Sequence, residues 1–193
     1  MTDRRPYHHG NLAAAAVEAA EAEIACGGIA DTSMRRVAER AGVSHTAIGR
    51  TFGDKAGLLA AVAAEGYRCL GDALESAGPE MLDLGRAYLR FAERRPALFA
   101  VMFQPAVYRA DDHGVVAARA RTTALLRGGV GQPAGAERTA WAAIGAWAFV
   151  HGLAALHLGG ALDGDLIEVY ERAARAVYPD GPPQARAVSF GSR

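Results

Sequence analysis

A cluster of cationic and hydrogen-bonding side chains occupies residues 33–55 of this 193-residue chain. His45, Thr46 and Arg50 can exchange hydrogen bonds with base edges, and Arg50 and Lys55 can neutralise phosphates. Five cations of the stretch face two carboxylates: Arg35, Arg36, Arg40, Arg50 and Lys55 against Glu39 and Asp54. This leaves a local excess of three positive charges in a chain whose formal net charge is zero, and such an excess is typical of a surface that binds nucleic acid.

The spacing of apolar residues predicts two short helices that position these groups. One buried helical face has the i, i+3, i+4, i+7 spacing of Met34, Val37, Ala38 and Ala41. Ser33 precedes this run as a predicted N-cap, Gly42 can take the positive φ of a tight turn, and Ser44 can cap the second helix. Ala47, Ile48 and Phe52 then share the inner side of that helix. Two helices joined by a three-residue turn form a helix-turn-helix, predicted here over about 33–52.

A third helix is predicted to begin at Lys55, with Asp54 as its cap. Its backbone amides, its dipole and the Lys55 ammonium would then point at one phosphate. Lys55 is also the only lysine of the chain. On pattern alone, an ordinary helical hairpin with a solvated arginine face is the alternative interpretation.

The stretch and its flanks resemble the N-terminal signature of the TetR family of transcriptional regulators. That signature runs from Thr/Ser-x-x-x-x-Val-Ala-x-x-Ala-Gly-Val-Ser to Tyr-x-x-Phe-x-x-Lys-x-x-Leu-Leu. Its places are held here by Ser33, Val37, Ala38, Ala41, Gly42, Val43, Ser44, Phe52, Lys55, Leu58 and Leu59. The resemblance and the side-chain chemistry together assign DNA binding to Ser33, Arg35, Ser44, His45, Thr46, Arg50, Thr51 and Lys55.

Two positions depart from the family pattern. Gly49 stands where the family usually has a tyrosine that contacts the DNA backbone, and Thr51 stands where histidine or tyrosine is common. A glycine inside a helix also costs about 1 kcal/mol relative to alanine. Weakened operator binding is therefore one expectation for this chain.

The remaining pattern predicts an all-α protein with 51% hydrophobic and 22% charged residues. We expect a three-helix DNA-binding head at 1–57, a ligand-binding and dimerisation body at 58–178, and a flexible tail at 179–193. A first helix should start after Asn11, which can cap it, end at Gly27-Gly28 and brace the head. Its predicted inward residues are Ala13, Ala16, Val17, Ala20 and Ile24. Glu21 and Glu23 stand where the family often has larger apolar residues, which predicts looser packing of this helix.

The body is predicted to be helical throughout, including the short apolar segment 97–103. Residues 139–162 contain no Asp, Glu, Lys or Arg. We reject a membrane span because the run is rich in alanine and glycine, contains two histidines and has no basic cluster beside it. Such a helix should instead be buried on nearly all sides, with one face against the core and the other against a partner subunit. A last helix is predicted at 165–178.

Trp147, His151 and Gly152 form a Trp-x-x-x-His-Gly pattern, which resembles the C-terminal domain of one TetR subgroup named for these residues (WHG-type). Trp147 and His151 lie four residues apart, so both can line a cavity or can simply pack as a core aromatic and its histidine. Large apolar groups concentrated in the body suggest a pocket for a small hydrophobic molecule. Its predicted lining is Phe91, Phe99, Met102, Phe103, Tyr108, Trp147 and His151.

The sequence lacks the motifs that enzymes of common classes require. There is no Gly-rich phosphate loop, nucleophile elbow, His-Glu-x-x-His or paired carboxylate motif, so we predict no enzyme, no catalytic residue and no cofactor. Cys26 and Cys69 have neither metal-ligand spacing nor a disulfide framework, which predicts no metal site and fits a cytoplasmic protein. The resemblance implies a homodimeric regulator, most simply a repressor released from a palindromic double-stranded DNA operator by a hydrophobic effector. The alternative is a helical dimer that binds a ligand or partner and has weakened specific DNA binding.

Overall fold

A computed structural model of the chain describes residues 9–128 and 136–178. Regular structure in these two segments is entirely helical, which confirms the all-α prediction. In chain order the helices are α1 His9–Asp31, α2 Met34–Ala41, α3 His45–Phe52, α4 Lys55–Ala77, α5 Met81–Arg94, α6 Pro96–Met102, α7 His113–Gly128, α8 Ala136–Leu158 and α9 Leu166–Val177, with a short 3-10 helix, Pro105–Val107, after α6. The predicted tail at 179–193 lies outside the described residues.

The predicted caps of the head are confirmed. The side-chain oxygens of Ser33, Ser44 and Asp54 accept hydrogen bonds at 3.3, 3.1 and 2.9 Å from the backbone N–H three residues further on. Gly42 has φ 68° and ψ 28°, the left-handed conformation that ends α2 and turns the chain toward α3. These local bonds fix where the first helices of the motif begin and end.

Helix α1 begins earlier than predicted, since it already includes His9 and Asn11. Gly28 has φ 78° and ψ 173°, a non-helical conformation that interrupts α1 at the predicted glycine pair. The buried side consists of Leu12, Ala16, Ala19, Ala20, Glu23 and Ile24. Ala13, predicted to face inward, is exposed, because neighbouring alanines give no contrast from which to choose a face.

The chain divides into two compact units, and the first combines residues up to 67 with residues 96–118. In this unit α1 packs on α2 and α6, and α2 packs on α3. Helix α4 approaches α6 closely at Gly66, where an added Cβ would lie 2.5 Å from Met102 Sδ. The Tyr67 and Tyr108 hydroxyls both donate to the Met102 carbonyl, at 3.1 and 3.0 Å. The apolar segment predicted at 97–103 is confirmed as helical over Pro96–Met102, with Phe103 in the turn that follows.

The second unit combines residues 68–95 with residues from 119 onward, and in it α5 packs on α8 and α9. Gly85 allows the close approach of α5 to α9, because a Cβ there would collide with the Tyr170 hydroxyl. Arg86 of α5 pairs with Glu171 of α9 at 2.9 Å, which joins the same two helices, and with Asp83 of its own helix at 2.6 Å. The predicted last helix is confirmed, and Asp165 caps it by accepting from Glu168 N at 2.8 Å.

Helix α8 differs from its prediction in burial. The window 140–158 is long and apolar enough to cross a membrane by length and composition, and 17% of it is buried. One such helix is a weak sign of a membrane protein. Within one subunit the helix is not buried on nearly all sides: Trp141 is 66% exposed and Ile144 46%. Its outer side is an exposed apolar face.

Candidate nucleic-acid interface and ligand cavities

Helix α3 presents one polar face and one buried anchor. Ile48 is fully buried, as is Val37 of α2, and these two residues seat α3 on the rest of the motif. His45, Thr46 and Arg50 are exposed on the opposite side, as the sequence predicts. Arg50 forms no ion pair with any described residue, so its guanidinium is available to a phosphate or a base edge.

The hydroxyl groups of the predicted DNA-binding set have local partners. Ser33 and Ser44 use theirs as helix caps, as described above. Thr51 Oγ1 donates to the Ala47 carbonyl at 3.0 Å, within α3. These hydroxyls therefore shape the ends and the last turn of the motif, and Thr46 is the exposed hydroxyl of α3 whose side chain bonds no described residue.

Three arginines of α2 are held by carboxylates. Arg35 pairs with Glu39 at 2.9 Å on the surface. Arg36 and Arg40 both reach Glu23 of α1, at 2.6 and 2.8 Å. The hydrogen bond from Arg40, followed by the charge of Arg36, lowers the pKa of Glu23.

Glu23 has a structural role that the sequence pattern did not predict: it joins α1 to α2. It is 5% exposed, yet it has two cationic partners instead of the loose packing that its type suggested. The signal was present in the spacing, because Glu23 falls seven residues after Ala16 and three after Ala20 on the buried stripe of α1. A carboxylate on such a stripe needs a cation, and α2 supplies two.

The start of α4 collects a second group of charges. Arg109 Nη2 donates to Asp54 Oδ2 at 2.7 Å, while Asp54 Oδ1 caps the helix through Gly57 N. The backbone bond from Gly57 and the charge of Arg109 lower the pKa of Asp54. Lys55 Nζ donates to the Ala30 carbonyl at 2.8 Å. Because a carbonyl is neutral, this bond does not neutralise the ammonium charge of Lys55. Arg50 and Lys55 are thus the cations of the predicted set that no described carboxylate holds.

The seven predicted ligand-contacting residues are divided between the two units. Phe99, Met102, Phe103 and Tyr108 lie in the first unit, where the rings of Phe99 and Phe103 are 5.0 Å apart. Phe99, Met102 and Tyr108 are buried, so in this structure they act as core. Phe91, Trp147 and His151 lie in the second unit.

Trp147 and His151 meet at a buried tyrosine that the prediction omitted. Tyr88 is fully buried; its hydroxyl lies 2.9 Å from His151 Nδ1 and accepts from Trp147 Nε1 at 3.4 Å. Burial lowers the pKa of His151. The neutral imidazole can then accept a hydrogen bond from the Tyr88 hydroxyl through Nδ1. This gives a chain of hydrogen bonds from indole to phenol to imidazole.

Two cavities of the second unit are relevant to ligands. The first has a volume of about 30 Å³ and lies among residues of α5, α8 and α9, including Leu84, Trp147 and Tyr170. This is room for about one water molecule. The second is an open groove of about 470 Å³ between α4 and α5, with Phe91 in its wall.

The arrangement in the head is that of a helix-turn-helix protein, with Arg50 exposed on the outer face of α3. Two family models match the chain: bacterial regulatory proteins of the tetR family over residues 16–62, and the tetracyclin repressor-like C-terminal domain over residues 81–177. The second match alone covers more than half of the described residues. The chain belongs to the TetR family of bacterial transcriptional regulators.

Solved structures show the same fold over nearly the whole chain. A protein of unknown function from Rhodococcus sp. RHA1 is 31% identical, with a TM-score of 0.75 over 94% of this chain and 100% of its own. The TetR family regulator PfmR from Thermus thermophilus is 21% identical, with a TM-score of 0.64 over 86% and 97%. A TetR-like transcriptional regulator from the same Rhodococcus strain is 20% identical, with a TM-score of 0.59 over 90% and 98%.

No curated protein matches the chain significantly. The matched family is one of transcriptional regulators. The resemblance to the family is therefore confirmed, and with it a helix-turn-helix protein of transcription regulation.

Proposed function

We propose that the protein is a cytoplasmic, ligand-responsive repressor that binds a palindromic operator as a homodimer. The observation that carries the proposal is the α2–α3 motif, in which both helices are capped and Ile48 is buried while His45, Thr46 and Arg50 point outward. The α3 helices of two subunits would enter successive major grooves about 34 Å apart. Lys55 would hold a flanking phosphate at the N-terminus of α4.

The homodimer is supported by the outer side of α8. Trp141, Ile144 and Ala148 are exposed at i, i+3 and i+7 of this charge-poor helix. A contiguous apolar stripe of this kind is typical of a protein–protein interface. A second copy of α8 would cover it and complete the burial that the sequence predicts.

We propose that a small hydrophobic effector binds in the body and releases the DNA. The cavity beside Trp147, at about 30 Å³, is too small for an organic molecule. Binding there therefore requires the surrounding side chains to move apart. The effector must accordingly bind more tightly to the conformation in which the heads are misplaced. The network of Trp147, Tyr88 and His151 supports the finer assignment to the subgroup with the Trp-x-x-x-His-Gly pattern.

The experiment that tests this function is a footprint of the full chain on the DNA upstream of its own gene, at several salt concentrations. The partner sample is the Arg50→Ala, Lys55→Ala double variant, with Arg172→Ala as a control because Arg172 is an exposed arginine of α9. We expect a protected palindrome that the double variant loses. Each lost phosphate contact should reduce the slope of log K against log salt by about 0.9. Equal protection by the double variant would contradict the assignment.

A second candidate function follows from Gly49, which lies inside α3 without a side chain to contact DNA. The chain would then be a helical ligand- or partner-binding dimer with weakened specific DNA binding. An added Cβ at Gly49 meets no described atom within 4 Å, so a larger side chain fits there. Gly49→Tyr tests this candidate, and Gly49→Ala is its control for helix propensity alone. A large gain in operator affinity for the tyrosine variant over the alanine variant would favour the second candidate.

A further inference from the structure

The open groove between α4 and α5 is built from one face of each helix. On α5, Ala87, Arg90, Phe91 and Arg94 follow the i, i+3, i+4, i+7 spacing of a single helical face. On α4, the groove is lined by Cys69, Ala73, Ser76 and Ala77, at i, i+4, i+7 and i+8. The alanines leave a channel of about 470 Å³, which is the size of a site for a small organic molecule.

The charge of this groove is entirely positive. Three arginines line it, Arg90, Arg94 and Arg95, and no carboxylate does. On the neighbouring turns, Asp72 and Glu75 bind Arg121 at 2.8 and 2.5 Å, and Glu93 lies 3.5 Å from His157. Arg95 has partners of its own, including Cys69 Sγ at 4.0 Å, so the excess of positive charge in the groove comes from Arg90 and Arg94.

Arg90 and Arg94 carry the argument. Both are exposed, and neither forms an ion pair with any other part of the chain that the structure describes. They lie four residues apart on α5, where like charges repel. The dipole of α5 favours a cation in its last turn near Arg94, but Arg90 lies one turn earlier, where this effect has faded. An anion between the two guanidinium groups would offset the repulsion.

The apolar part of the groove lies next to these cations. Phe91 is nearly buried and shares the wall with Ala73, Ala77 and Ala87. A guanidinium group binds a carboxylate through two parallel hydrogen bonds. From this juxtaposition we propose that the groove is a binding site for an apolar carboxylate, whose head contacts Arg90 and Arg94 and whose body packs on Phe91. The inference rests on the proposed function in one respect only: the bound carboxylate would be the effector.

The binding test uses calorimetry on the full chain without DNA. The probes are octanoate and 2-naphthoate, each beside its uncharged primary amide. We expect at least one carboxylate to bind at least tenfold more tightly than its amide, and its affinity to fall with added salt. Arg90→Gln, Arg94→Gln should lose at least tenfold for that carboxylate and leave the amide unchanged. Arg172→Gln is the matched control, since it removes an exposed arginine outside the groove and should change neither.

Three results would overturn the proposal. They are equal affinity for acid and amide, full affinity in the double variant, and tighter binding of octyl phosphate than of octanoate, which would assign a phosphate head instead. Because the measurement contains no DNA, it succeeds or fails independently of operator binding. A footprint repeated with the bound carboxylate then tests its role as effector: release of the DNA supports that role, and unchanged protection contradicts it.

Discussion

At the scale of single residues, Glu23 shows how the head is held together. A nearly buried carboxylate at the middle of one helix fixes two arginines of the next, and so sets how α2 lies on α1. The spacing places Glu23 on the buried stripe of α1, but it does not identify the partners, because they are 13 and 17 residues away and no short-range pattern relates them. The caps at Ser33 and Ser44 could be predicted, because a cap depends on residues three positions apart.

The lowered pKa of Glu23 makes the head sensitive to acid. Since the folded-state pKa lies below the ordinary value of 4.5, the ion pairs stabilise the head above about pH 4.5, and this stabilisation is lost as the pH falls through the folded-state value. We expect Glu23→Gln to lower the melting temperature at pH 7 and to reduce the loss of stability as the pH falls below about 4.5. Thermal unfolding followed by circular dichroism measures both.

The control for this prediction is Glu18→Gln, which removes a carboxylate from the same helix that has no ion-pair partner among the described residues. It should leave the melting temperature and its acid dependence nearly unchanged. A variant at Glu23 that matched this control would show that its two ion pairs contribute nothing to stability.

At the scale of an element, the α2–α3 motif contains two glycines with different backbone conformations. Gly42 has φ 68° and ends α2, whereas Gly49 lies within α3 in an ordinary helical conformation. At neither position would a Cβ meet another described atom within 4 Å. Substitution by alanine therefore isolates the backbone effect at each position.

The same substitution should have opposite signs at the two glycines. Gly42→Ala places a side chain in the left-handed region and should destabilise the head by about 1 kcal/mol. Gly49→Ala should stabilise α3 by up to about 1 kcal/mol. Urea unfolding of both variants beside the natural chain measures the difference. Equal effects would mean that α3 is not helical at Gly49 in solution.

The sequence predicts the helices and turns correctly, but it does not predict which residues of different helices come into contact. The glycine turn, the helix at 97–103 and the last helix all rest on local chemistry. The contact of Gly85 with Tyr170, and the burial of Tyr88 beneath Trp147 and His151, join residues far apart in the chain. The sequence identifies candidate ligand residues only by their size and type, and in the structure these residues lie in two different units.

At the scale of the whole molecule, the exposed face of α8 predicts the assembly. Ile144→Glu places a charge on this face, and burying that charge in an interface would be costly. We expect the natural chain to be a dimer at micromolar concentration and the variant to be a monomer, as measured by light scattering after gel filtration.

Val116→Glu serves as the comparison, because Val116 is also exposed and apolar but lies on α7. It should leave the dimer intact. Dissociation by both variants, or by neither, would place the interface elsewhere.

The position of Lys55 has a practical consequence for chemical labelling. It is the only side-chain amine in the sequence, and its Nζ is held by the Ala30 carbonyl at the start of α4. An acylating reagent that modifies lysines therefore has one side-chain target, and that target lies beside the surface that would contact DNA. The rate of acylation at this position would report operator occupancy directly, without any engineered reporter group.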